Sequence, residues 1–61
     1  MKPMLLKISD VIKLTSLSRS SIYRMIGNNE FPKQISIGSR QARWSSAEVE
    51  NWCYEQISAN Q

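Results

Sequence analysis

Residues 17–24 read Leu-Ser-Arg-Ser-Ser-Ile-Tyr-Arg. Two guanidinium groups (Arg19, Arg24), three hydroxyls (Ser18, Ser20, Ser21) and one phenol (Tyr23) fall within eight positions. A guanidinium fork matches the O6 and N7 edge of guanine. Serine and tyrosine hydroxyls can donate to phosphates or to base edges. These side chains suit hydrogen-bonded recognition of a polyanion rather than bond making. The chain has no histidine and a single cysteine, Cys53, so it offers neither a disulfide framework nor a zinc site, and general-base options shrink.

Such donors recognise something only if a rigid element presents them. Ser18 is placed to cap a helix, with Leu17 before the cap and Ile22 five residues on as a hydrophobic staple. Ile22, Met25 and Ile26 share one face at helical spacing. At 100° per residue the opposite face centres on Ser20 and Arg24, with Tyr23, Gly27 and Asn28 beside it and Arg19 and Ser21 at its shoulders. Gly27-Asn28-Asn29 provides the exit, because Gly and Asn tolerate the left-handed conformation. Upstream, Ile8, Val11 and Ile12 share a face of a short helix over about residues 10–15, capped by Ser9, with Asp10 favoured in its first turn. Thr15-Ser16 forms the turn. A short helix, a tight turn and a capped helix opening with polar side chains form a helix-turn-helix, whose second helix enters a DNA major groove N-terminal end first.

The remainder predicts a wing and a brace. Pro32 has no amide donor and turns Phe31 away from helix. Gln34-Ile35-Ser36-Ile37 alternates as a strand does, Gly38-Ser39-Arg40-Gln41 turns, and Ala42-Arg43-Trp44 returns. Ser45 and Glu48 form a capping box, Trp44 and Val49 a second staple. Val49, Trp52, Cys53 and Ile57 line one face of a last helix reaching about Ser58. Lys33, Ser39, Arg40 and Arg43 are the wing's candidate contacts to the DNA backbone, where cations position rather than specify. The expected fold class is α+β, mostly α: a winged helix-turn-helix with three helices and a small β-hairpin wing. One domain over residues 1–61, ordered from about 5 to 58, accounts for the chain.

Sixty-one residues with a formal charge of +3 leave no room for a pocket walled by two layers. Residues 1–45 hold all eight basic side chains and two of the five acids. Residues 46–61 hold three acids and no base. This split suits one face turned to a polyanion and another turned away, although charges placed for solubility give the same count. Arg19 and Arg24 read alternatively as a solvated helix face paired with Glu30 or with acids of the last helix. Tyr23 reads equally as an edge of the core. Trp44 and Trp52 are core residues rather than stacking platforms. Glu48, Glu50 and Glu55 have no partner acid, base or metal to make them catalytic. The expectation is therefore no enzyme, no cofactor and no metal. No apolar run approaches the ~20 residues that span a bilayer, and Met1–Lys7 is too short for a signal peptide's apolar core. A cytoplasmic, nucleoid-associated setting without a membrane partner follows as the expectation.

The ordered blocks Leu17-Ser18-Arg19-Ser20-Ser21-Ile22-Tyr23-Arg24, Phe31-Pro32, Ile37-Gly38-Ser39-Arg40, and Trp44 with Ser46, Glu48, Val49 and Trp52 resemble the AlpA family of small phage and prophage regulators. That family is similar in turn to phage excisionases and to the DNA-binding heads of MerR-type regulators. The resemblance spans about residues 5–57. It departs at Lys33-Gln34, where family members often carry a second proline. It implies a winged helix-turn-helix that binds double-stranded DNA as a prophage transcription regulator or as an excisionase-like directionality factor that bends attachment-site DNA. Arg19, Ser20, Ser21, Tyr23 and Arg24 would then face the major groove, and Arg40 would belong to the wing. Integrase or RNA polymerase would be the protein partners. A module burying ~600–1,000 Å² on DNA would gain specificity as a dimer or an array. A reading of another class is a protein-binding adaptor acting through the acidic last helix.

Overall fold

The computed structural model describes residues 3–61. Met1 and Lys2, the latter counted above among the bases, lie outside the described residues. The elements run β1 (Leu5–Leu6), α1 (Ile8–Thr15), α2 (Arg19–Gly27), β2 (Ile35–Ile37), β3 (Gln41–Ser45) and α3 (Ser46–Ala59). Three helices and a small antiparallel sheet make the mostly helical α+β winged helix-turn-helix that the sequence predicts.

The sheet is larger than the expected hairpin. Its order is β1-β3-β2: a two-residue strand that the sequence did not signal lies along the free edge of β3. Leu5 stands opposite Ser45 and Leu6 opposite Trp44, while the Ser46 amide donates to the Met4 carbonyl at 2.9 Å. β1 thus ties the start of the described chain to the start of α3. On the other side Ile35 stands opposite Arg43, Ser36 opposite Ala42 and Ile37 opposite Gln41. Directly opposed residues of an antiparallel pair point to one face. Leu6, Trp44, Ala42 and Ser36 therefore share the core face. Ile35 and Ile37 lie on the outer face, where each stays about 40% exposed (40% and 39%). The strand alternation was legible, but the register sends its apolar side chains away from the core.

Leu6, Val11, Ile22, Phe31, Trp44 and Val49 form the core, with Ile8, Ile12, Leu17, Met25, Ile26, Ala42, Trp52 and Cys53 packed around them. Both staples close as expected: Ile22, Trp44 and Val49 are fully buried, and Leu17 packs against the core. The two indoles carry polar handles as well. Trp44 Nε1–H donates to the Pro32 carbonyl at 3.1 Å, and Trp52 Nε1–H to the Glu30 carbonyl at 2.8 Å. Phe31 is buried between those two carbonyls in sequence, with its ring centroid 4.8 Å from that of Trp52 at 65°. Two hydrogen bonds and an edge-to-face contact thus fix the 30–32 segment that leads from α2 to the sheet.

Several local details depart from expectation. α1 begins at Ile8 and is capped at Lys7, not Ser9. The Asp10 carboxylate accepts the Lys7 backbone N–H at 3.1 Å, so Asp10 reaches back to satisfy a donor in addition to meeting the helix dipole. α3 starts on Ser45, whose Oγ accepts from the Glu48 amide at 3.3 Å. The reciprocal Glu48 bond of a full capping box is absent. Ile57 is 53% exposed, because the last turns of α3 run past the core. Cys53 is half-buried, and burial, with the Glu50 carboxylate adding to it, pushes its thiol above the ordinary value. The thiolate is disfavoured at neutral pH.

Two substitutions test this account by urea unfolding. Trp44→Phe removes the bond to Pro32 and leaves a void in the core, and is expected to cost about 2–4 kcal/mol. Trp52→Phe loses a more accessible bond and is expected to cost about 1 kcal/mol. Equal costs would contradict the central place given to Trp44. Gly38 opens the wing turn at φ +67° with nothing within 4 Å of an added Cβ. Gly38→Ala is therefore expected to lower stability by about 1 kcal/mol through backbone strain alone; an unchanged urea midpoint would show that the turn relaxes.

Candidate nucleic-acid interface

The turn that aims α2 is three residues long, Ser16–Ser18. Ser16 takes the left-handed conformation at φ 61°, a place more often given to glycine. A backbone bond of its own and the hydroxyl of the residue before it hold it there. The Ser16 amide donates to the Ile12 carbonyl at 2.8 Å. Thr15 Oγ1 donates to the Val11 carbonyl at 2.8 Å and accepts the Leu17 amide at 3.2 Å. One threonine hydroxyl therefore closes α1 and starts the turn.

α2 is closed at both ends. Ser18 Oγ accepts the Ser21 amide at 3.1 Å and donates to Ser21 Oγ at 2.9 Å, with Ser20 Oγ 3.4 Å away. At the far end Asn29 sits at φ 59°. The Asn29 amide donates to the Ile26 carbonyl at 3.1 Å and the Glu30 amide to the Met25 carbonyl at 2.7 Å. This is a Schellman ending with asparagine in place of glycine. It sends the chain directly into the segment held by the two indoles.

Between these ends α2 buries Ile22, half-buries Met25 and Ile26, and exposes Arg19, Ser20, Tyr23 and Arg24. Ser21 is half-buried and already engaged with Ser18, so it belongs as much to the cap as to the open face. Among the described residues neither Arg19 nor Arg24 is paired with an acid, and the alternative of a salt-bridged helix face finds no partner for them. Tyr23 is 38% exposed. Its ring meets Trp44 edge-on at 6.1 Å between centroids, and the Arg19 Cζ lies 6.0 Å from its own centroid. Tyr23 therefore seals an edge of the core and stays partly exposed.

In the wing, Lys33, Ser39 and Arg40 are exposed. Arg43 is not a free cation at the tip. It is half-buried in β3 opposite Ile35, and its guanidinium donates to the Ala42 carbonyl at 2.8 Å. Ile35 and Ile37 are surface residues that the sequence did not single out. Only the strand register exposes them, and no periodicity rule reveals it. The ring contact between Tyr23 and Trp44 joins α2 to β3, and through β3 to the wing.

Among the described residues no group of three or more His, Cys, Asp or Glu is placed to hold a metal ion. No helix there is long and apolar enough to cross a membrane.

The chain can be set beside known proteins. The profile of the family described as "Prophage CP4-57 regulatory protein (AlpA)" matches residues 4–57. A protein of Enterobacteria phage P4, described as "Uncharacterized protein ORF88", is 43% identical over 47 residues, which cover 77% of this chain and 53% of that protein. The chain thus spans about half the length of this relative. No solved structure matches it. The matched segment contains both helices of the helix-turn-helix, the whole sheet and nearly all of α3, and the chain belongs to the AlpA family of prophage regulatory proteins.

Proposed function

We propose that this protein binds duplex DNA sequence-specifically as a small prophage transcription regulator. The observation that carries the reading is the outward face of α2, where Arg19, Ser20 and Arg24 stand exposed on a helix capped at both ends, with no acid among the described residues paired to either arginine. α2 enters the major groove N-terminal end first. Arg19 and Arg24 address base edges, and Ser20, Ser21 and Tyr23 address phosphates or bases. Lys33, Ser39 and Arg40 lie against the DNA backbone, and Arg43 supports the wing from within β3. Residues 1–61 act as a single DNA-binding domain, working on the nucleoid in the cytoplasm without cofactor or catalysis.

The acids of residues 46–61 lie on or beside α3, the helix that packs behind the core. That arrangement leaves α3 free to meet RNA polymerase at a promoter or an integrase at an attachment site. One module buries ~600–1,000 Å² on DNA, so useful specificity comes from dimers or arrays of copies.

The test is selection of bound duplexes from a random pool at physiological salt, beside the Arg19→Glu/Arg24→Glu protein. An enriched motif is expected. The double variant should bind it at least about thirtyfold more weakly, since two base-edge contacts supply ~1–3 kcal/mol each. Arg40→Ala should weaken all duplexes alike and reduce the slope of log K against log salt by about 0.9. Motifs at promoters would support the regulator, whereas phased motifs beside an attachment site with a measured bend would make it an excision factor. Activity that survives the double reversal would sink the DNA reading in favour of a protein-binding adaptor.

A further inference from the structure

The contact series Trp44–Tyr23–Arg19 has no counterpart at the other arginine. Trp44 is fully buried on the central strand. The Tyr23 ring stands against it at 65°, centroids 6.1 Å apart. Arg19, four residues before Tyr23 and so above it on the same side of α2, places its guanidinium carbon 6.0 Å from the Tyr23 centroid. That lies at the outer reach of a cation–π contact. Arg24 makes no ring contact among the described residues.

From this we infer that Tyr23 is a positioning residue for Arg19. An arginine in the first turn of an exposed helix is free to sample many rotamers, and that freedom is lost when it docks on a base. A planar ring beneath the guanidinium restricts the choice and leaves its hydrogen-bonding edge open. Trp44 makes the ring itself rigid, because Tyr23 cannot swing inward against a buried indole. Arg19 is thereby the pre-oriented reader of the pair and Arg24 the adaptable one. The inference rests on the DNA-binding reading above and assigns the phenol ring, rather than its hydroxyl, the part that governs sequence preference.

The experiment compares full-length wild type, Arg19→Ala, Tyr23→Leu, Tyr23→Phe and Arg19→Ala/Tyr23→Leu. Each is titrated with the selected duplex and with the same duplex changed at the base Arg19 reads, at several salt concentrations. Arg19→Ala is expected to lose about tenfold in preference between the two duplexes, within the range of one base-edge contact. Tyr23→Leu should lose as much with an unchanged salt slope, Tyr23→Phe should recover the preference, and the double variant should be no worse than either single one. The free protein gives an independent reading by NMR. The Arg19 side-chain resonances should show a ring-current shift in wild type and Tyr23→Phe, and this holds even where Tyr23→Leu fails to fold.

Three results would overturn the inference while leaving the DNA reading intact: Tyr23→Leu keeps its preference, Tyr23→Phe loses it, or Arg19 resonates at random-coil positions in the wild type. A wild type that distinguishes no duplexes, with Arg19→Ala unchanged, would remove the DNA reading and the inference with it.

Discussion

One buried side chain, Trp44, holds the interface and the scaffold in a single geometry. It lies on the middle strand of the sheet, opposite Leu6 of β1. Its indole N–H is bound to the Pro32 carbonyl, and its ring edge meets Tyr23 of α2. One residue later the chain caps α3, and Val49 packs back beneath it as the other half of the staple. Val11 of α1 shares the buried cluster with it, so the indole lies at the meeting point of the three helices and the sheet. In so small a domain large side chains must each serve several neighbours, since ~60% of the unfolded surface is all that folding can cover.

This economy explains the division between the two sides of the molecule. α2 has little apolar surface of its own: Ile22 is buried, and Met25 and Ile26 are half-buried. Its orientation is set from its ends, by Thr15 and Ser18 before it and by Asn29 and the indole-held carbonyls after it. Its outer face is thereby left largely to polar and basic groups, with Tyr23 alone reaching back to Trp44. The acids of residues 46–61 sit on α3, apart from the basic residues of α2.

Much of the fold was legible because its signals are local. The Ser18 and Ser45 caps, both staples and the Gly27-Asn28-Asn29 exit depend on residues no more than five positions apart, and each appears where the pattern placed it. What escaped was non-local or substitutive. β1 is a strand only because β3 lies beside it; two leucines carry no period. The Ile35/Ile37 face was set by register, which depends on the whole hairpin. Ser9 looked like a cap by residue type, but the Asp10 carboxylate bound the Lys7 amide and moved the helix start upstream. Ser16 adopts a conformation that glycine usually marks, held by a threonine hydroxyl that residue type does not reveal. The half-burial of Arg43 and its bond to the Ala42 carbonyl were not legible either, because charge says nothing about strand face. The outward face of α2, by contrast, follows from helical phase alone, so its exposed residues could be named from the sequence.

The pairing of β1 with β3 also bears on how the chain acquires its shape. Leu5 and Leu6 meet Ser45 and Trp44 across some forty intervening residues, so the first strand waits for nearly the last. Until Trp44 and Val49 have been added, α1 and α2 are short helices without a shared core, and helices of eight and nine residues do not persist alone in water. A growing polypeptide therefore holds the complete α2 sequence well before it can fix its orientation. The transition to a competent surface comes late and in one step, as non-local topologies require. A shortened product of translation that ended before β3 would carry the α2 sequence with nothing to orient it.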